Sequence, residues 1–131
     1  MIGNIVGKAR RVQEKAINKV AYGSMRGQYD ALLKHAKIIR TNLNAGKGLL
    51  YAGTLASGQI GFWQKFVSAC QGTGDEKNAE GYQERVDFLM GLADECKRVY
   101  DGRPKVQPKE QVLNELNEYI EILEKERGFL V

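Results

Sequence analysis

Residues that interrupt or crosslink helices are scarce in this chain: two prolines and two cysteines among 131 residues. Pro104 and Pro108 fall in one short stretch, so the rest is free of the residue that breaks helices. Cys70 and Cys96 are too far apart for a C-x-x-C motif, and no second pair completes a zinc site. Both are expected to be core packing residues. His35 is the only histidine, so a triad or metal centre built on imidazole has nothing to rest on. No Glu-x-x-His pattern is present for a di-metal bundle. Residues 45–48 (Ala-Gly-Lys-Gly) lack both the first glycine of a phosphate loop and the Ser/Thr after its lysine. These absences predict a non-enzymatic protein without a metal or cofactor.

Long apolar runs are missing as well. No residue between Lys47 and Lys65 is charged, but those 17 residues include four glycines together with Thr54, Ser57, Gln59 and Gln64. That length is the lower edge of a membrane span and the composition is poor for one, so a buried, closely packed helix is expected. Small residues there would let another backbone approach, with Gly53 and Gly58 at the contact. At the N-terminus Lys8, Arg10 and Arg11 interrupt the apolar residues, and no secretory signal is expected.

What is present is a lopsided charge. Residues 1–47 carry ten Lys/Arg against two acids, Glu14 and Asp30, whereas residues 48–131 carry ten against fourteen. Ile2, Ile5, Val6, Ala9, Val12, Ala16 and Val20 fall on one stripe at helical spacing, flanked by Lys8, Arg10, Arg11, Lys15 and Lys19. This is a cationic amphipathic helix over residues 1–22, the pattern of a segment that meets a polyanionic surface. Lys34, Lys37 and Arg40 would extend the positive surface along the next helix.

The remainder, 23–131, reads as one helical bundle domain. Tyr29, Leu32, Ala36, Ile39 and Leu43 recur at heptad spacing. A second helix is expected over Leu49–Cys70, with its stripe on Tyr51, Leu55, Phe62 and Phe66. After a loop at Gly72–Asp75, Tyr82, Val86, Leu89, Ala93, Cys96 and Tyr100 mark a third helix from about Glu76 to Tyr100. Val112, Leu116, Tyr119 and Leu123 mark the last, with Pro108 in its first turn and Gly128 as its C-terminal cap. Glu115, Glu118, Glu121 and Glu124 form its solvated face. The expected class is all-α, an elongated helical bundle with coiled-coil-like packing. Its apolar seams exceed what one short bundle needs, which predicts a homo-oligomer joined through Leu32, Ile39, Leu89, Leu116 and Leu123.

Residues Lys8–Val20, with Tyr29 nine positions later, resemble the start of amphiphysin-like N-BAR domains, and Thr54–Ser57 resembles a stretch farther along that family's long helix. The likeness covers residues 2–57 at most. It implies dimers of antiparallel helical bundles on curved anionic membranes, with Ile2, Ile5, Val6 and Ala9 as an inserting wedge. Lys8, Arg10 and Arg11 would be its lipid-facing charges. The chain is much shorter than a usual BAR domain, and the glycines from Gly46 to Gly61 would weaken a long rigid helix.

The function expected from the residues and the likeness together is peripheral membrane binding, with membrane remodelling as its extension, at the cytoplasmic face of a membrane. Nucleic acid would use the same cations but gives no reason for an apolar stripe at the N-terminus. The alternative is a helical scaffold or assembly subunit whose basic N-terminal arm contacts a partner protein or nucleic acid.

Overall fold

A computed structural model of the protein describes residues 24–130. The expected helix over residues 1–22, and with it Ile2, Ile5, Val6, Ala9, Lys8, Arg10, Arg11, Lys15 and Lys19, lies outside the described residues. The described chain is four helices: α1 (Met25–Ala45), α2 (Leu49–Gly72), α3 (Glu76–Tyr100) and α4 (Lys109–Gly128). No strand occurs among the described residues. Short connections make α1 and α2, and α2 and α3, antiparallel neighbours, and α4, after the longer loop of residues 101–108, packs chiefly on α1 to close the bundle. The start of α1 therefore shares one end with the end of α2, the start of α3 and the end of α4. No helix among the described residues is long and apolar enough to cross a membrane.

The helix ends follow local chemistry. Ser24 caps α1 by accepting the Gly27 N–H at 3.0 Å, a contact worth about 1 kcal/mol. Between α1 and α2, Gly46 and Gly48 both take left-handed backbone angles (φ 67° and 61°), and Lys47 N–H returns to the Asn42 carbonyl at 3.1 Å. The glycines of residues 45–48 are thus a helix-to-helix turn. Asp75 caps α3. Pro108 stands one residue before α4 as its N-cap, and Gly128 is the last helical residue rather than a left-handed cap.

Two of the four expected stripes enter the core as read, and a third does so in part, Ala93 being half-buried. Tyr29, Leu32, Ala36, Ile39 and Leu43 are buried on α1, and Val112, Leu116, Tyr119 and Leu123 on α4. On α3, Tyr82, Val86, Leu89 and Cys96 are buried, but Tyr100 is exposed. The stripe on α2 is rotated by one position at Tyr51, Leu55 and Phe62, while Phe66 is buried as expected. Its buried line is Ala52, Ala56, Gln59, Trp63, Phe66 and Cys70, while Tyr51 is exposed and Leu55 and Phe62 are half-buried. Small residues face inward because α2 and α3 pack most closely of all the pairs. A Cβ on Gly53 would lie 3.5 Å from Cys96 Cβ and 3.7 Å from the Ala93 carbonyl. Gly58 has nothing within 4 Å, so only one of the two glycines marks the contact.

That difference sets opposite expectations. Gly53→Leu should overpack the α2–α3 contact and destabilise by about 1–3 kcal/mol. Gly58→Ala, in open space within a helix, should stabilise by about 0.5–1 kcal/mol. Urea melts of the two variants check this directly; equal midpoints would show that α2 and α3 do not meet at Gly53.

Candidate functional site

The charge of the chain divides at the start of the bundle. Residues 1–23 hold five Lys/Arg against Glu14 alone, so residues 24–131 carry 15 Lys/Arg and 15 Asp/Glu. The whole net charge of +4 therefore belongs to the segment before α1.

Within the bundle, the helix pairing offsets the basic side of α1. Lys37 Nζ lies 3.8 Å from Glu124 of α4, with both side chains about half exposed. Arg40 donates to Asn117 Oδ1 at 3.0 Å. Arg127 of α4 pairs in turn with Asp30 of α1, and its guanidinium holds the Asp30 carboxyl below the ordinary carboxylate range. Lys34 is exposed. So Lys34, Lys37 and Arg40 do share one side of α1, but Lys37 and Arg40 are engaged by α4, and the face is mixed in sign rather than continuously positive. Such exposed pairs add little stability; what they change is the field a polyanion would meet.

The five residues expected to join copies of the chain are placed differently. Leu32, Ile39, Leu89, Leu116 and Leu123 are all buried within one chain. The heptad seams close on each other intramolecularly, so their surplus is no reason for a dimer.

The bundle interior, from its middle toward the end where α1 starts and α4 ends, holds polar chemistry that the apolar stripes do not announce. Glu126, fully buried, accepts Tyr29 Oη at 2.8 Å and Arg85 Nη1 at 2.7 Å, and its second oxygen accepts Arg85 Nη2. The Arg85 guanidinium lies 4.4 Å from the Trp63 ring centroid and 5.2 Å from that of Tyr82. Trp63 and Tyr82 stack at 5.4 Å. A second chain of bonds runs beside this: Trp63 Nε1 donates to Tyr119 Oη at 2.9 Å, Tyr119 donates to Gln59 Oε1 at 2.5 Å, and Gln59 Nε2 donates to the Leu32 carbonyl at 2.9 Å. Every buried side-chain polar atom among the described residues has a partner, as stability in a low-dielectric interior requires. Glu126 continues the α4 stripe three residues beyond Leu123, and Gln59 sits on the α2 stripe between Ala56 and Trp63. A polar residue in register with a heptad is the signal that would have located both.

Burial also shapes protonation. It opposes charge on Arg85, yet the two hydrogen bonds and the charge of Glu126 outweigh it and hold the guanidinium protonated. Burial pushes the hydroxyls of Tyr29, Tyr82 and Tyr119 upward, and the Cys96 thiol up to about 11 from 9.0. Each group is neutral in the fold and ionises more readily once unfolded. The Cys96 contribution is complete below about pH 9 and is lost as pH rises through about 11, and that of the tyrosines is complete below about pH 10 and declines above it. Melting temperature should accordingly be level from neutrality to about pH 9 and fall beyond it. A flat profile to pH 11 would show that these groups are solvated in the native state.

Among the described residues no cluster of His, Cys, Asp or Glu is arranged to hold a metal ion. No family profile, curated protein or solved structure matches this chain.

Proposed function

We propose that this protein is a non-enzymatic, peripheral membrane-binding module in which a neutral four-helix bundle carries a basic amphipathic N-terminal segment. The observation that supports this reading is the charge division: the bundle is balanced, and the excess positive charge sits beside the apolar stripe Ile2, Ile5, Val6 and Ala9. A bilayer with anionic headgroups uses both features at once. Lys8, Arg10, Arg11, Lys15 and Lys19 each contribute about 1 kcal/mol near such a surface. The apolar residues add about 25 cal/mol for each Å² removed from water. Lys34 takes part as a flanking cation, and Lys37 and Arg40 do so only where lipid phosphates displace their α4 partners. The N-BAR-like leader extends the reading to membrane remodelling by wedge insertion.

The test is co-sedimentation with liposomes of graded anionic content, beside a shift assay with RNA and DNA. Pelleting should rise with anionic lipid and fall with salt, as screening shortens from about 10 Å at 0.1 M to about 3 Å at 1 M. Binding to nucleic acid with none to vesicles would overturn it.

A second reading is favoured by one surface. Leu50, Tyr51 and Tyr100 are each more than half exposed, and Leu50 and Tyr100 border a cleft of about 520 Å³ along the α2–α3 seam that Gly53 and Ala93 also line. A scaffold subunit would use this face for a partner protein, and its alanine variants would lose the partner without losing vesicle binding.

A further inference from the structure

The seam between α3 and α4 is the loosest of the sequential pairs. Two cavities of about 400 and 200 Å³ lie along it, both lined by Phe88 of α3 and Glu115 of α4. Together they form a groove from Gly81 to Glu95 along α3, about 20 Å at 1.5 Å per residue. Its floor is apolar: Phe88, Leu92, Val112, Tyr119 and Ile122. Its borders are acidic. Asp94 is engaged by Arg98, and Glu95 accepts the Val106 N–H, but no salt bridge among the described residues uses Glu84, Asp87, Glu115 or Glu118. Arg85, the one cation among the described residues that line the groove, is neutralised by Glu126.

An apolar floor with acidic borders suits an amphipathic segment with a cationic border, and residues 2–20 of this chain are one. We propose that the α3–α4 groove is the docking site of the chain's own N-terminal segment, Ile2, Ile5, Val6 and Ala9 lying on the floor, with Lys8 and Lys15 on one flank and Arg10 on the other meeting the two acidic borders, Glu84 and Asp87 of α3 and Glu115 and Glu118 of α4. The reach is adequate. Residues 2–15 as a helix are about 21 Å long, which matches the groove. The groove opens, at Gly81 and Ile122, toward the bundle end where α1 starts, and α4 alone separates it from α1. Residues 16–24, which none of these contacts uses, extend about 30 Å, more than the two interhelical spacings of about 8–10 Å each that lie between α1 and the groove across α4. The consequence rests on the membrane reading: groove and anionic bilayer compete for the same face of the segment, so the docked state withholds the wedge until a surface draws it out.

The test uses the full chain with a nitroxide on Gln13→Cys; Cys70 and Cys96 are buried and leave the introduced thiol as the one to label. Docking predicts paramagnetic broadening of the amides of Gly81, Glu84, Glu118 and Ile122. The broadening should vanish in Glu84→Lys/Glu118→Lys and persist in the matched exposed pair Glu76→Lys/Glu110→Lys, which lies off the groove. On vesicles of mixed neutral and anionic lipid, the groove variant should bind about fivefold or more tightly than the matched pair. No broadening overturns the docking whatever the vesicles show. Broadening that appears only when labelled and spin-labelled chains are mixed overturns it in favour of a second copy's segment. Broadening as expected with no vesicle binding by any variant keeps the docking and removes the membrane reading instead.

Discussion

Arg85→Met is expected to destabilise the protein by about 3–5 kcal/mol, the cost of leaving one member of a buried ion pair without its partner. Glu126 is fully buried and takes both of its charge-neutralising bonds from Arg85. With Met in place, only Tyr29 Oη would still donate to the carboxylate. Glu126→Gln should cost less. The amide oxygen still accepts from Tyr29 or Arg85, and the guanidinium keeps the Trp63 and Tyr82 rings beside it and some access to water, its side chain being 13% exposed. The double variant Arg85→Met/Glu126→Leu should recover most of the loss, since an apolar pair of similar volume avoids two desolvated charges. For a chain of this size the single Arg85 change corresponds to a melting temperature lower by about 10 °C or more. A double-mutant cycle in urea measures the coupling; additive single changes would show that the pair is solvated and does not organise the core.

Replacing Ile5 and Val6 together with Glu is expected to abolish vesicle pelleting while leaving the melting temperature of the bundle nearly unchanged. The substitution removes two residues of the proposed wedge and adds two negative charges facing anionic lipid, so insertion is lost and repulsion gained together. As an isolated segment, residues 2–20 are at the margin of helix stability in water, because nucleation costs more than one turn returns. Their helicity should therefore rise on anionic vesicles in the parent and not in the variant. Were the segment an integral part of the core, the same substitutions would bury unpaired charges and lower stability by several kcal/mol. Circular dichroism melts and liposome pelleting on one variant separate these cases, and a large fall in melting temperature with no pelleting by the parent would sink the membrane reading.

How far the residues alone foretold the molecule differs from helix to helix. On α1 and α4 the buried line is made of large apolar side chains, so the period of 3.5 stands out, and Tyr29 to Leu43 and Val112 to Leu123 are buried as read. On α2 the inward positions are Ala52, Ala56 and Gln59, which carry little hydrophobic signal, while Tyr51 and Leu55 beside them carry more. The hydrophobic signal at Tyr51, Leu55 and Phe62 therefore falls one residue before the buried line Ala52, Ala56 and Trp63, and Phe66 alone belongs to both. Inward-facing small residues are explained only by how closely α3 approaches, and that is a property of two helices rather than one. Gly53 and Gly58 make the same point, being alike in sequence context and different in what a side chain would meet.

Sequence by itself determined that residues 24–130 are helical, where their turns fall, and that the N-terminal part of the chain carries the positive excess. Those follow from propensity, capping and the count of charges, all local. Tertiary structure decided the rest. It turned seams that looked fit for a second copy inward upon one another, because four amphipathic helices joined by short loops bury their stripes most readily in one chain. It set Lys37 and Arg40 against α4, and it brought Arg85 and Glu126, 41 residues apart, into one buried pair. Long-range pairing of charges depends on which helix faces find each other, and no period within a single helix encodes that.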